Sequence, residues 1–511
     1  MKNIIYTFLS LLFAFSASAQ LINDGASIIV EDGATLFIEG SLQNNLAGSI
    51  NIQGTGIVEV EGDVTIAPTS TVTMSNTAKV ILSGANASNI TSGGATFTNV
   101  EMDKTSNNVT LMDQMRISSD LNFVGNNNKV IIGDNNLVFA PGATITSADE
   151  NEYIIADGNA NTGVVSKELT ANEVFVFEIG DATNYTPLDA DITGTGYSSA
   201  FVDVNVVPMV QPNVPGEATD YISRYWNVDQ SGITDYSTDL EGTYIAGDRT
   251  GVAADTKGAH YGSTSGWTYD GAAAGANTVL GTVAESGDFT GTNSFGKVGL
   301  TVFLQGAYSG GTMTTSLNSL LPLTSPYDAS ISVASIPANV TDWIELEVRD
   351  ATTPSTILTT HSAFLRNDGV VLSLDGTPNP LLLNAPSSGY IGINHRNHLS
   401  VNTSTAINLG SVGFDTHNFS SSLAQAYDNP AITNNDAMAS LGGGVFGLIR
   451  GDANGSNGIN VIDAAITRNG SSPIQSNVYL GIDVNMSGGV NVIDAAIAKS
   501  ASTPIKSAHV Q

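Results

Sequence analysis

The chain has 511 residues, 17 Lys+Arg against 48 Asp+Glu, a formal charge of −31, no Cys, and 41% hydrophobic but only 13% charged residues. Phosphate-rich partners repel such a chain, which argues against nucleic acid and anionic membrane surfaces, while its apolar content argues against disorder. Without Cys it has no disulfides, and at a length suited to about three or four domains burial does not need their help.

Residues 1–19 predict a secretory leader. Lys2 is the charged start, Ile4 to Phe15 the apolar stretch, and Ala17-Ser18-Ala19 the small-residue cleavage site before Gln20. That run is too short to span a bilayer, and no later one reaches the length a spanning helix needs. The expectation is an exported protein, secreted or at the cell surface, with no transmembrane segment.

Residues 20–165 are short alternating runs broken by Gly, Asn and Asp, such as Ser27-Ile-Ile-Val-Glu31, Thr35-Leu-Phe-Ile-Glu39, Ser49-Ile-Asn-Ile-Gln53 and Ile57-Val-Glu-Val-Glu61. Period-2 alternation ending in turn residues reads as β-strand. The turn spacing fits a sandwich or a solenoid. The shortness of the strands, the loose recurrence of Asp24-Gly25-Ala26-Ser27 as Asp32-Gly33-Ala34-Thr35, and Asn126-Asn127-Asn128 as a corner row favour a parallel β-solenoid. Some solenoids are polysaccharide lyases, but the bases Lys79, Lys104, Arg116 and Lys129 have no acidic cluster beside them in sequence.

Residues 166–296 have longer strands and more aromatics, and read as an antiparallel β-sandwich. Trp226, Trp267 and Tyr269 are either a sugar-stacking platform or, as the better reading, sandwich core. Gly271 to Asn277 reads as a loop. Phe177-Glu-Ile-Gly180-Asp181 through Leu188, and Arg224-Tyr-Trp226-Asn-Val228, resemble segments of large surface proteins of Bacteroidota.

Residues 297–447 predict a third, sandwich-like β domain. Gly299 to Tyr308, Pro322 to Tyr327, Ala334 to Trp343 and Ile393 to Leu399 resemble, in that order, a module near the C-termini of secreted Bacteroidota proteins. Glu345 and Glu347 share one face of a strand, the spacing of a carboxylate pair for glycoside hydrolysis, but alternation with Ile344, Leu346 and Val348 is equally that of a half-exposed strand. His395 and His398, with Asp415 and His417 downstream, have metal-ligand spacing; a hydrogen-bonded loop of His and Arg is the preferred reading.

Residues 448–511 contain one motif twice. Asp452-Ala-Asn454-Gly-Ser456-Asn457-Gly458-Ile459-Asn460-Val-Ile-Asp463 returns 31 residues later as Asp483-Val-Asn485-Met-Ser487-Gly488-Gly489-Val490-Asn491-Val-Ile-Asp494. Calcium takes six to eight oxygens, and a twelve-residue loop supplies them from positions 1, 3, 5, 7 and 12. Those positions are Asp452, Asn454, Ser456, Gly458 and Asp463 in the first copy, and Asp483, Asn485, Ser487, Gly489 and Asp494 in the second. Position 6 requires positive φ, which Asn457 and Gly488 can adopt. Apolar Ile459 and Val490 at position 8 suit a β contact between paired loops. Ordinary Asx turns are the alternative, but recurrence at a fixed offset before a helix-compatible run favours two calcium ions.

This duplicated motif resembles the dockerin family, whose calcium-loop module docks secreted proteins onto cohesin partners. Family loops usually carry Asp at position 5; Ser456 and Ser487 lower the charge here, which should weaken calcium binding. The resemblance implies that Val461, Ile462, Val492 and Ile493, then Arg468 and Lys499, contact the partner. The other reading of the Val/Ile pairs is packing of two helices against each other.

The whole chain thus reads as mainly β: a solenoid, two sandwich-like domains and a small helical dockerin-like calcium module. The expected role is non-catalytic, structural or adhesive, with docking to a cohesin-like protein or surface scaffold. The alternative is a polysaccharide-binding or polysaccharide-degrading component brought to a complex by the tail.

Overall fold

The computed structural model describes residues 19–124, 127–273, 277–410 and 413–511. The leader expected in 1–19, apart from Ala19, and Asn126 of the expected Asn row lie outside them. The fold is mainly β, with a solenoid of about seven turns and, among the described residues, two α-helices. It forms two compact units, residues 1–263 with 269–292, and 264–268 with 293–511.

In the first unit the chain coils through parallel strands. Ser27, Ser49 and Thr71 stack on one face, so a turn takes 22 residues there. Every second residue points inward: Ile50, Ile52, Val58, Val60, Val64 and Ile66 are all buried. Gly25 (φ 83°) and Gly33 (φ 72°) turn the corners of the Asp-Gly-Ala motif, where a side chain would be strained. Stacked amides hold the rungs together: Asn23 Nδ2 donates to Asn44 Oδ1 (2.8 Å), and Asn44 Nδ2 to Thr71 O (3.1 Å).

One solenoid sheet does not stop where the composition changes. Val165–Leu169 pairs in parallel with Leu137–Phe139 and antiparallel with Gly196–Val207, which continues into Tyr221–Thr234 and Gly287–Thr292. A second, antiparallel sheet runs Glu173–Phe177, Leu188–Thr193, Ser237–Thr243 and Thr278–Val283. Gly242 of this sheet lies under the Trp226 ring, where a Cβ would stand 2.6 Å from it. The expectation of a loop over Gly271–Asn277 is corrected in part: the strand Gly266–Ala273 carries its first three residues, and 274–276 lie outside the described residues.

The second unit is built on a six-stranded antiparallel sheet with Val340–Arg349 at its centre, between Ile357–Arg366 and Ser388–His395. Trp343, Ile344, Leu346 and Val348 are wholly buried, and Glu347 and Arg349 nearly so. The half-exposed strand expected from its alternation is therefore corrected. Its polar residues satisfy one another: Glu347 accepts from Arg349 Nε (2.8 Å), and Asn394 Nδ2 donates to both Glu345 (2.9 Å) and Glu347 (2.7 Å). The two helices, α1 (Val461–Gly470) and α2 (Val492–Ala501), follow this sheet in the same unit.

Candidate metal centre in the C-terminal repeat

The two loops have the same hydrogen bonds, atom for atom. Asp452 accepts from Ser456 N (2.8 Å) and Asn457 N (2.7 Å), and Asp483 from Ser487 N (3.0 Å) and Gly488 N (2.8 Å). Asp463 accepts from Asn454 N (3.3 Å) and Asn460 N (2.9 Å), and Asp494 from Asn485 N (3.3 Å) and Asn491 N (3.0 Å). The hydroxyl of Ser456 sits 3.5 Å from Asp452 Oδ1 and 3.3 Å from Gly458 O; that of Ser487 sits 3.5 Å from Asp483 Oδ1 and 3.2 Å from Gly489 O. Asn454 and Asn485 turn their side-chain oxygens to Ser456 N and Ser487 N. Positions 1, 3, 5, 7 and 12 are thus drawn around one small volume in each loop. Position 6 has the expected left-handed backbone, Asn457 at φ 59° and Gly488 at φ 82°.

Asp463 and Asp494 have two duties. Each closes its loop and is also the third residue of the helix that follows, making a reciprocal capping box with Asn460 or Asn491. Loop closure and helix initiation therefore share one carboxylate.

The expectation that Ile459 and Val490 join the loops to each other is corrected. Gly458–Ile459 pairs with Lys506–Ser507, which follows α2, and Gly489–Val490 pairs with Gln475–Ser476, which follows α1. Each loop is tied to the segment behind the other copy's helix. The sequence signal for this is the continuation of the repeat, Pro473-Ile474-Gln475-Ser476 against Pro504-Ile505-Lys506-Ser507.

Asp452 is 1% exposed, and Asp463, Asp483 and Asp494 are fully buried. Among the described residues no Lys or Arg forms an ion pair with any of the four. Burial pushes Asp452 up to about 6, with Asp463 adding to the rise against the donors of Ser456 and Asn457. Burial also raises Asp483 and Asp494. Paired buried carboxylates without a countercharge are costly. Among the described residues no three His, Cys, Asp or Glu side chains gather as a metal set. Each loop has two carboxylates and would draw its other ligands from Asn, Ser and a carbonyl. That all-oxygen set fits a hard cation such as calcium.

The side chains expected to meet a partner lie on the surface. Val461 is 74% exposed, Ile462 55%, Val492 71% and Ile493 55%; Arg468 and Lys499 are also exposed. Packing of the helices through the Val/Ile pairs is thereby set aside. What the helices bury is Thr467 and Ala498, besides the loop carboxylates. A groove of about 500 Å³ between them is lined by Val461, Ala464, Arg468, Ala495, Ala496 and Lys499, among others.

The other candidate sites are committed elsewhere. Trp226 is buried, donates from Nε1 to Thr186 O (3.0 Å) and packs on Phe289, while Trp267 is buried against Phe295, so they form no exposed platform. Lys79 pairs with Glu101 and Arg116 with Glu168, Lys129 lies over Tyr153, and Lys104 is buried with its ammonium on the carbonyls of Glu61 and Ser83. His395 and His398 do come together, Nδ1 to Nδ1 at 3.0 Å, but within a buried network of Asp342, Arg396 and Asn397. His417 bonds instead to Gln425 O, and Asp415 accepts from Asn408 N. The sequence reading missed Met486 and Tyr479, which seat the tail on the β domain. The one hint was Met486 at loop position 4, where the first copy has Gly455.

No family model, curated protein or solved structure matches the chain. Among the described residues no helix is long and apolar enough to cross a membrane, which does not bear on β-barrels.

Proposed function

We propose that the protein is an exported, non-catalytic structural or adhesive protein whose C-terminal repeat binds two calcium ions and docks onto a cohesin-like protein or surface scaffold. The carrying observation is the pair of matching oxygen-lined loops whose buried carboxylates form no ion pair with Lys or Arg among the described residues, each loop opening a helix that leaves a Val/Ile pair in solvent. Calcium supplies the positive charge that sits between the two carboxylates of each loop. The capping boxes pass that order to α1 and α2, which hold the docking side chains. The solenoid and the β domains then serve as the displayed body.

The test is a calcium titration of the full chain by calorimetry and far-UV circular dichroism. The expected result is two ions per chain with a gain of helix. A chain that takes up no calcium at millimolar concentration sinks the reading. Val461→Asp with Val492→Asp should leave calcium uptake unchanged and abolish capture by a cohesin-type partner.

A further inference from the structure

We propose that the turn Arg396–His398, between strands Ser388–His395 and His398–Asn402, is a wedge that couples the two calcium loops to each other and to the β domain, making the tail a calcium-operated clasp. The inference rests on the calcium reading of the loops.

Asn397 is fully buried and touches both copies. Its carbonyl accepts from Gly451 N (3.0 Å), one residue before Asp452, and its Nδ2 donates to Asp483 O (2.8 Å), at position 1 of the second loop. Ser400 N donates to Asn457 Oδ1 (3.2 Å), at position 6 of the first. Residues 397–400 thus hold the start of both loops and the tight bend of one.

The turn is fixed from behind. His398 Nε2 accepts from Gly306 N (2.9 Å), so its Nδ1 carries the proton and donates to Asn397 Oδ1 (2.8 Å). That leaves the Asn397 amide one orientation, with its nitrogen towards Asp483. Arg396 pairs with Asp342 (3.0 Å), lies 4.3 Å over the Tyr479 ring and donates to Leu480 O. Tyr479 returns a hydrogen bond to Asp342 (2.8 Å), which also meets His395 (3.1 Å). An unbroken buried path therefore runs from the central strand through Asn397 to Asp483, and buried polar networks of this kind tolerate little displacement of one member.

When calcium draws Asp483 and Asp494 together, the Asp483 carbonyl is set and so is Asn397. The Asn397 carbonyl then sets Gly451, next to Asp452. Occupancy of one loop pre-forms the other, and both stiffen the turn. Such coupling is reciprocal and typically spans about 5- to 150-fold in affinity.

The experiment uses the full chain, since the tail shares its hydrogen bonds with the β domain. Asp494→Asn keeps the helix cap and weakens the second loop. Calorimetry should then find the ion of the first loop bound about tenfold more weakly. Calcium should slow hydrogen exchange across Ser388–Asn402 in the unmutated chain. Asn397→Ala should let both loops bind but erase the effect of Asp494→Asn on the first. Asn457→Gly keeps the left-handed bend and removes only the bond to Ser400; it should reduce the same coupling even if Asn397→Ala fails to fold. A first-loop affinity unmoved by Asp494→Asn, or exchange in the turn unmoved by calcium, overturns the clasp while leaving the calcium reading intact. No calcium uptake by the unmutated chain overturns the reading and the clasp together.

Discussion

Met486→Gly sets two effects of opposite sign against each other. Met486 has φ 56°, a backbone region costing a non-glycine residue about 1–2 kcal/mol. The side chain is also fully buried, in the hydrophobic core shared with Leu317, Trp343 and Leu346. Truncating a buried Met to Ala costs about 2–5 kcal/mol, and glycine adds about 0.5–1 kcal/mol of backbone entropy. Relief of φ strain offsets the entropy and part of the burial loss, so the net loss is about 0.5–5 kcal/mol. The assay is hydrogen exchange of the segment 484–490 and of strand Ser388–His395 in excess calcium. Both should lose protection together, because Met486 belongs to the core beneath them. Unchanged or increased protection would mean that strain outweighs burial, and that the side chain does not anchor the tail.

Other expectations follow from single residues. Asp463→Ala removes a proposed calcium ligand and half of a capping box together; α1 should show lower helicity in chelator, and Asp463→Asn should restore the helix but not calcium binding. Asp181 is buried, which raises its pKa, yet donors from Thr183, Asn184 and Arg224 outweigh burial and hold it at about 2. A carboxylate depressed on folding stabilises above its unfolded pKa near 3.8 and loses that contribution as pH falls through 2. The first unit should thus lose about 2 kcal/mol over that window in acid unfolding, and Asp181→Asn should flatten the slope. Lys104 gives a slope of the same sign at high pH: burial lowers it to about 8. The native state then binds fewer protons than the unfolded one between pH 8 and about 10.5, so stability rises with pH there; Lys104→Met should remove that rise in denaturant titrations.

Much of the first unit is legible because its rule is local. A strand of four residues with inward Ile52 or Val60 and a Gly corner shows its period within a dozen positions. The joining of solenoid and antiparallel sheet is not legible, because Val165–Leu169 finds Gly196–Val207 through a register that no short window contains. The central strand misleads for another reason. Glu345, Glu347 and Arg349 alternate as solvent-facing residues do, but Asn394 and their own ion pair satisfy them inside the protein.

The tail shows most clearly where sequence symmetry stops. Asp452 and Asp483, Asp463 and Asp494, and Asn460 and Asn491 make the same bonds because each bond lies within twelve residues. The host domain has no such repeat, so a twofold module must meet it asymmetrically. Asn397 donates to the carbonyl at position 1 of the second loop, but accepts from the residue before the first. Position 4 records the difference: Gly455 (φ 66°) is exposed, whereas Met486 takes the same left-handed backbone with its side chain in the core. A repeat serving only as a free docking arm would have no use for a strained, buried Met at one of two equivalent positions. Its presence argues that the second loop also holds the tail to the β domain, leaving the exposed Val461/Ile462 and Val492/Ile493 pairs free for a partner.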